Sequence, residues 1–367
     1  MDSNYIYYGT KTSALEVERF IEHMIEVNQA LQAENRQATP LCIWGKHGIG
    51  KTQMVEAIAK DKGFEFVSIS PAQFEEMGDL LGMPEIKGHK TVFAPPSWVP
   101  ESRGPGILLI DDLNRADDRI LRGLMQLLQN YELISWKLPP EWHIVITANP
   151  DGGDYSVTPM DNAILTRMMH ITLGFNHKDW ALWAEKNAVD SRGIDFVLTY
   201  PEIVDGERTT PRTLVQFFNS ISLIKNLKDN LPLVQLMADA CLDESTAAIF
   251  IAFVKDDLSE LIGVGDIVNA ENFSGDVYRP LKKLVKKESL RVDILSTVCT
   301  RLVNYLSVNN VKPDKLQLAN IKSFLLIDFL PNDLRLVTAQ ELVESGNRHL
   351  KAIVKDKNIA LLLLKKM

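Results

Sequence analysis

The octet Gly45-Lys46-His47-Gly48-Ile49-Gly50-Lys51-Thr52 satisfies the spacing GxxxxGK[ST] at every position. Glycines at these places let successive backbone N–H groups turn toward one centre, which suits phosphate oxygens. The Lys51 ammonium would reach the β- and γ-phosphates of a nucleoside triphosphate, and the Thr52 hydroxyl would ligate Mg²⁺. Gly45 to Thr52, with Gln53 just beyond, is therefore the expected nucleotide-binding set, with ATP and Mg²⁺ as cofactors. A chance glycine-rich turn is the competing reading. It is disfavoured by the neighbours: the apolar run Leu41-Cys42-Ile43-Trp44 reads as a strand, and TQMVEAIAK from Thr52 to Lys60 reads as the helix whose positive end faces the same anion.

Such a loop needs a carboxylate from a neighbouring strand. In Ile107-Leu108-Leu109-Ile110-Asp111-Asp112, four apolar residues mark a buried strand, and Asp111 follows at its C-terminal edge, where open α/β sheets bind ligands. Asp111 is the expected Mg²⁺ ligand beside Thr52, and Asp112 the group that polarises the attacking water. Aspartates that merely cap the next helix are the bland alternative.

The elements that must position these residues follow from hydrophobic spacing. Ser13 to Glu34 repeats apolar residues at helical intervals. Strands are expected at 64–69, 106–110 and 143–148, with a weaker one at 169–173, and a helix at 119–128. Aliphatic strands alternating with helices indicate a parallel, doubly wound α/β sheet. Met83 to Pro100, with four prolines, reads as a loop or hairpin insertion, and Tyr131 to Glu141 as a β-hairpin. Beyond Gly174 the pattern is helical, at 178–187, 213–225, 233–261, 290–306 and 316–330. The expected domains are a core at 1–175, a helical lid at 176–228 and a C-terminal helical region at 229–367.

Bulk properties exclude several classes. At 367 residues the chain is long enough for two or three domains. Its net charge of −8 gives no support for a nucleic-acid backbone binder. The three dispersed cysteines offer neither a disulfide framework nor a CxxC metal site. The N-terminus lacks the features of a signal peptide, and no apolar run approaches a membrane span. A soluble, cytoplasmic protein without membrane or nucleic-acid partners is expected. In Arg279-Pro280-Leu281-Lys282-Lys283-Leu284-Val285-Lys286-Lys287 the lysines share one helix face, which reads as solvated surface. Phe93 and Trp98 read equally well as pore or partner contacts and as packing within the insertion.

With both nucleotide motifs placed, the chain resembles the AAA+ ATPases, and among them the MoxR-like group, over roughly residues 40–225. The resemblance is carried by Ile110-Asp111-Asp112-Leu113-Asn114-Arg115-Ala116, by LMQLLQNYELISWKLPPEWHIVITANP from Leu124 to Pro150, by MDNAILTRM from Met160 to Met168, by Thr210-Pro211-Arg212, and by Asp79-Leu80-Leu81-Gly82 ahead of the insertion. It implies that Asn149 is sensor 1, that Arg167 is an arginine finger offered to the next subunit's ATP, and that Arg212 is sensor 2 in the lid. Arg115 is the alternative finger or an interface partner. It also implies a homo-oligomeric ring, a hexamer, that hydrolyses ATP at subunit interfaces and acts as a chaperone, remodelling or assembling a partner protein, such as one with a von Willebrand factor A domain. A DNA-acting motor or loader, and an ATP-switched assembly module with little turnover, are the alternatives. Family members usually carry glutamate where this chain has Asp112, which is one methylene shorter.

Overall fold

A computed structural model describes residues 6–345, apart from 153–156, 257–260, 286–289 and 309–311, together with 347, 349, 350, 353, 359 and 360. Lys286 and Lys287 of the basic run, and part of the expected 233–261 helix, lie outside the described residues. The chain divides into two compact units, Met1–Asn176 and His177–Met367.

The first unit is built on a six-stranded sheet from β1 (Lys11–Thr12), β2 (Leu41–Trp44), β3 (Glu65–Ile69), β6 (Gly106–Ile110), β7 (Trp142–Ala148) and β8 (Met169–Leu173); β4 (Met83–Lys87) and β5 (Lys90–Ala94) form a separate antiparallel hairpin. The order across the sheet is β1-β8-β2-β7-β6-β3, and every pairing is parallel. Side chains alternate between the two faces. Cys42, Trp44, Leu108, Ile110, Ile144 and Ile146 enter one apolar core, while Leu41, Ile43, Ile107, Leu109 and Val145 enter the other. Because both faces are covered, the strands read in sequence as unbroken apolar runs.

Helices α1 (Ala14–Ala33) and α2 (Lys51–Lys62) contribute Val17, Ile21, Val55 and Ile58 to the second core; α3 (Met77–Leu81), α4 (Asp118–Asn130) and α5 (Asn162–Leu165) contribute Leu80, Ile120, Leu124 and Ile164 to the first. Asp117 caps α4 by accepting a hydrogen bond from the Ile120 N–H at 2.9 Å.

The 83–100 insertion contains the β4–β5 hairpin, with Ile86 exposed at its tip. Trp98 is a packing residue: it stacks on Phe74, meets Trp136 edge-on at 5.2 Å, and donates to the Asp79 carbonyl at 3.1 Å. The hairpin expected at Tyr131–Glu141 is a minimal one: an antiparallel bridge, Glu132 to Lys137, flanked by bonds from the Leu133 N–H to the Trp136 carbonyl and from the Leu138 N–H to the Tyr131 carbonyl, each 2.8 Å. Leu133, Trp136 and Leu138 turn into the core.

The second unit is helical: α6 (His177–Lys186), α7 (Ser191–Thr199), α8 (Pro211–Ile221), α9 (Leu231–Cys241), α10 (Glu244–Lys255), α11 (Val264–Asn269), α12 (Arg279–Val285), α13 (Val292–Val308), α14 (Lys315–Leu325) and α15 (Asn332–Glu344). The long helix expected at 233–261 breaks between α9 and α10. Asp243 causes the break, because its carboxylate accepts from the Thr209 N–H at 2.8 Å and its own N–H donates to the Thr209 hydroxyl. Phe196, Phe217, Phe218, Phe250 and Phe253 form the aromatic centre. Arg301 bridges Glu185 and Asp195 in the interior, at 2.5 and 2.6 Å. Among the described residues no helix is long and apolar enough to cross a membrane.

Candidate active site

β2 ends at Trp44 and the Gly45–Thr52 loop runs directly into α2. Gly50 precedes the helix at φ +104°, a left-handed conformation that glycine adopts without strain. The turn reverses the chain so that Lys51 points back across the loop. Lys51 is 5% exposed, and its ammonium donates to the carbonyls of Gly45 at 2.7 Å and Lys46 at 3.2 Å and to Asn149 Oδ1 at 3.2 Å. Burial lowers its pKa to about 8, against the opposing attraction of Asp112 and Asp111.

β6 brings the carboxylates to the same edge. Asp111 Oδ1 accepts from the Thr52 hydroxyl at 2.7 Å and from the Thr147 hydroxyl at 2.6 Å. Asp112 sits in the left-handed region at φ +51°, which aspartate tolerates better than most residues. Its N–H donates to Thr147 Oγ1 at 2.8 Å, so one threonine at the end of β7 fixes both acids. Asp112 Oδ1 accepts from Asn149 Nδ2 at 2.9 Å, and Oδ2 pairs with Arg115 at 3.3 Å.

Asn149 follows β7 and is fully buried. Its carbonyl accepts from Asn114 Nδ2 at 2.8 Å, and its N–H donates to Asn114 Oδ1 at 3.0 Å. This reciprocal pair satisfies both backbone groups of Asn149 away from water and ties the turn after β6 to the end of β7.

Lys51, Thr52, Asp111, Asp112 and Asn149 thus converge, as the sequence leads one to expect of a nucleotide site. Thr52 and Asp111 present a hydroxyl and a carboxylate oxygen to one point, the hard oxygen donors that suit Mg²⁺. Arg167 is placed elsewhere: its guanidinium donates to Gln129 Oε1 at 3.0 and 3.2 Å and to the Ala163 carbonyl. Arg212 is an exposed residue in the first turn of α8, in the second unit, behind the capping Thr210. Thr147 and Asn114 have no assigned role in the sequence reading. Thr147 had a signal, since it is the one hydroxyl in β7, two residues before Asn149; Asn114 had none beyond its place after the acids.

Residues 40–168 match the model of the AAA domain family, dynein-related subfamily. The chain is 25% identical to midasin of Giardia intestinalis over 171 residues, which are 43% of this chain and 4% of that protein. It is 28% identical to Lon protease 2 of Borreliella burgdorferi over 167 residues, 40% of this chain and 20% of that one. The chain therefore spans a small part of the length of either relative. Among solved structures, the Thermotoga maritima RuvB Holliday junction branch migration motor aligns with 69% of this chain and 76% of its own at 15% identity, with a TM-score of 0.37.

Proposed function

We propose, from the match of residues 40–168 to the AAA domain family, that the protein is a Mg-dependent ATPase of the MoxR-like type, working as a ring that remodels or assembles a partner protein. The observation that carries the reading is the meeting of Lys51, Thr52, Asp111, Asp112 and Asn149 at one sheet edge. Lys51 binds the β- and γ-phosphates, and the Gly45–Gly50 backbone cradles them. Thr52 and Asp111 would hold Mg²⁺, which would supply positive charge to offset that of the phosphates. Asp112 accepts a proton from the attacking water and Asn149 orients that water. By the resemblance, Arg212 would take the sensor 2 role from a lid formed by 176–228. Arg167 leaves Gln129 and is offered to the ATP of the adjacent subunit, where it stabilises charge on the transferred phosphoryl group. By the MoxR-like resemblance the ring is a cytoplasmic hexamer, and the partner carries a von Willebrand factor A domain.

The test mixes two inactive variants. Arg167→Ala keeps an intact phosphate loop and Lys51→Ala an intact finger, so a mixed ring restores some complete interfaces. ATP hydrolysis that returns on mixing supports a site shared between subunits. Co-assembly without any activity, at any ratio, overturns it and makes Arg115 the next candidate finger.

One observation favours the low-turnover reading. Both carboxylate oxygens of Asp112 are engaged, one by Asn149 and the other by Arg115. A phosphate-release assay separates the two readings: a slow enzyme releases phosphate continuously, whereas a switch stops after about one equivalent per site.

A further inference from the structure

Trp44 is the residue immediately before the phosphate loop, and it is buried. Its indole N–H donates to His170 Nδ1 at 3.0 Å, and His170 Nε2 lies 2.8 Å from the carbonyl of Leu165. The partners decide the tautomer. An indole nitrogen can only donate and a carbonyl can only accept, so Nδ1 is bare and Nε2 carries the proton. Leu165 is the last residue of α5, a single turn whose terminal carbonyls have no partners within the helix. His170 therefore caps that turn, two residues before Arg167. One imidazole connects the root of the phosphate loop to the segment that bears Arg167.

The imidazole is itself held. His170 lies on β8, opposite Cys42 of β2. Tyr8 lies against both rings, 4.7 Å from Trp44 and 5.7 Å from His170. The next residue, Gly9, passes so close that a Cβ there would stand 2.2 Å from the His170 carbonyl oxygen. The N-terminal segment thus fixes the His170 backbone while Tyr8 covers its ring.

We infer that His170 is a positioning residue that sets the presentation of Arg167 from the position of its own subunit's phosphate loop. The inference rests on the finger role proposed for Arg167. Displacement of the loop on nucleotide binding moves Trp44, the imidazole follows its hydrogen bond, and the α5 terminus with the following turn moves with it. The finger given to the neighbour then depends on the nucleotide state of the subunit that gives it.

His170→Phe keeps a flat ring of similar size and removes both hydrogen bonds. The variant is mixed separately with Arg167→Ala and with Lys51→Ala, and hydrolysis is compared with wild-type chains mixed in the same way. With Arg167→Ala as partner, His170→Phe must supply the finger, and activity is expected to fall at least about tenfold, the scale of losing one to two such bonds. With Lys51→Ala as partner, His170→Phe supplies the ATP site, and activity should stay within about twofold of wild type. His170→Gln, which keeps one donor and one acceptor, should recover part of the finger activity. Equal losses in both mixtures, or none in the first, overturn the inference. If Arg167→Ala and Lys51→Ala fail to complement each other in the control, the finger reading itself is wrong and the inference falls with it.

Discussion

Thr147 holds the centre of the site at the residue scale, because its hydroxyl donates to Asp111 and accepts from the Asp112 N–H. Thr147→Val keeps the shape and removes both bonds. ATP hydrolysis should then fall by about tenfold or more, with the folded state retained, since the two acids lose their common anchor. Asp112→Asn is expected to leave ATP binding intact and to slow hydrolysis by about 10²–10⁴, the usual contribution of a positioned base; wild-type turnover would move that role elsewhere. Lys51→Ala should raise the ATP dissociation constant beyond the range of isothermal titration, because a charge-assisted contact to phosphate is lost. The loop, Asp111 and Asp112 were legible in the sequence, since their chemistry is tied to fixed local spacing. Asn114 was not. Its partner Asn149 is 35 residues away, and nothing local distinguishes an asparagine that clamps a distant strand from one in a solvent-exposed turn.

At the scale of elements, β7 carries a buried basic group with a measurable cost. His143 is 1% exposed, stacks on Phe64, and has no hydrogen-bond partner at either ring nitrogen. Burial lowers its pKa to about 4 from an ordinary 6.5. The neutral form is therefore favoured in the fold, and its contribution is fully present above pH 6.5. It is lost as the pH falls from 6.5 toward 4, by roughly 3 kcal/mol in all at about 1.4 kcal/mol per unit. His143→Phe should flatten the acid limb of stability between pH 6.5 and 4, as followed by urea denaturation across that range. An unchanged limb would place the acid sensitivity in other groups. The interior strands of the sheet were readable because they are apolar on both faces. β1, only two residues long, was not, since its pairing with β8 comes from the backbone rather than from a side-chain pattern. The break at Asp243 was hidden in the same way, because the bonds that stop the helix come from Thr209, 34 residues upstream.

At the scale of the whole molecule, Lys51, Thr52, Asp111, Asp112, Asn149 and Arg167 belong to the first unit and Arg212 to the second. If each site is completed by Arg167 of a neighbour, hydrolysis per subunit should rise with protein concentration and level off once rings have formed. Arg167→Ala should flatten that curve at a rate about 10³–10⁵ lower. A specific rate independent of concentration, in wild-type protein that sedimentation shows to pass from monomer to oligomer, would mean each subunit is complete alone. The helical second unit was legible as helical but not in its divisions. α15 (NDLRLVTAQELVE) spreads its apolar residues around the axis, so no single stripe announces it.

The ammonium of Lys51 has three hydrogens, and it already serves three oxygens: two loop carbonyls and the amide of Asn149. A phosphate bound by Lys51 as proposed would therefore enter as a competitor and displace at least one of these acceptors. Recognition would then be an exchange, in which the gain is the difference between a charged phosphate oxygen and a neutral carbonyl or amide. Asn149 is the acceptor whose release has a further effect, because the amide that loses Lys51 also donates to Asp112. On the proposed nucleotide role, an Asn149 released by Lys51 would keep only its side-chain bond to Asp112.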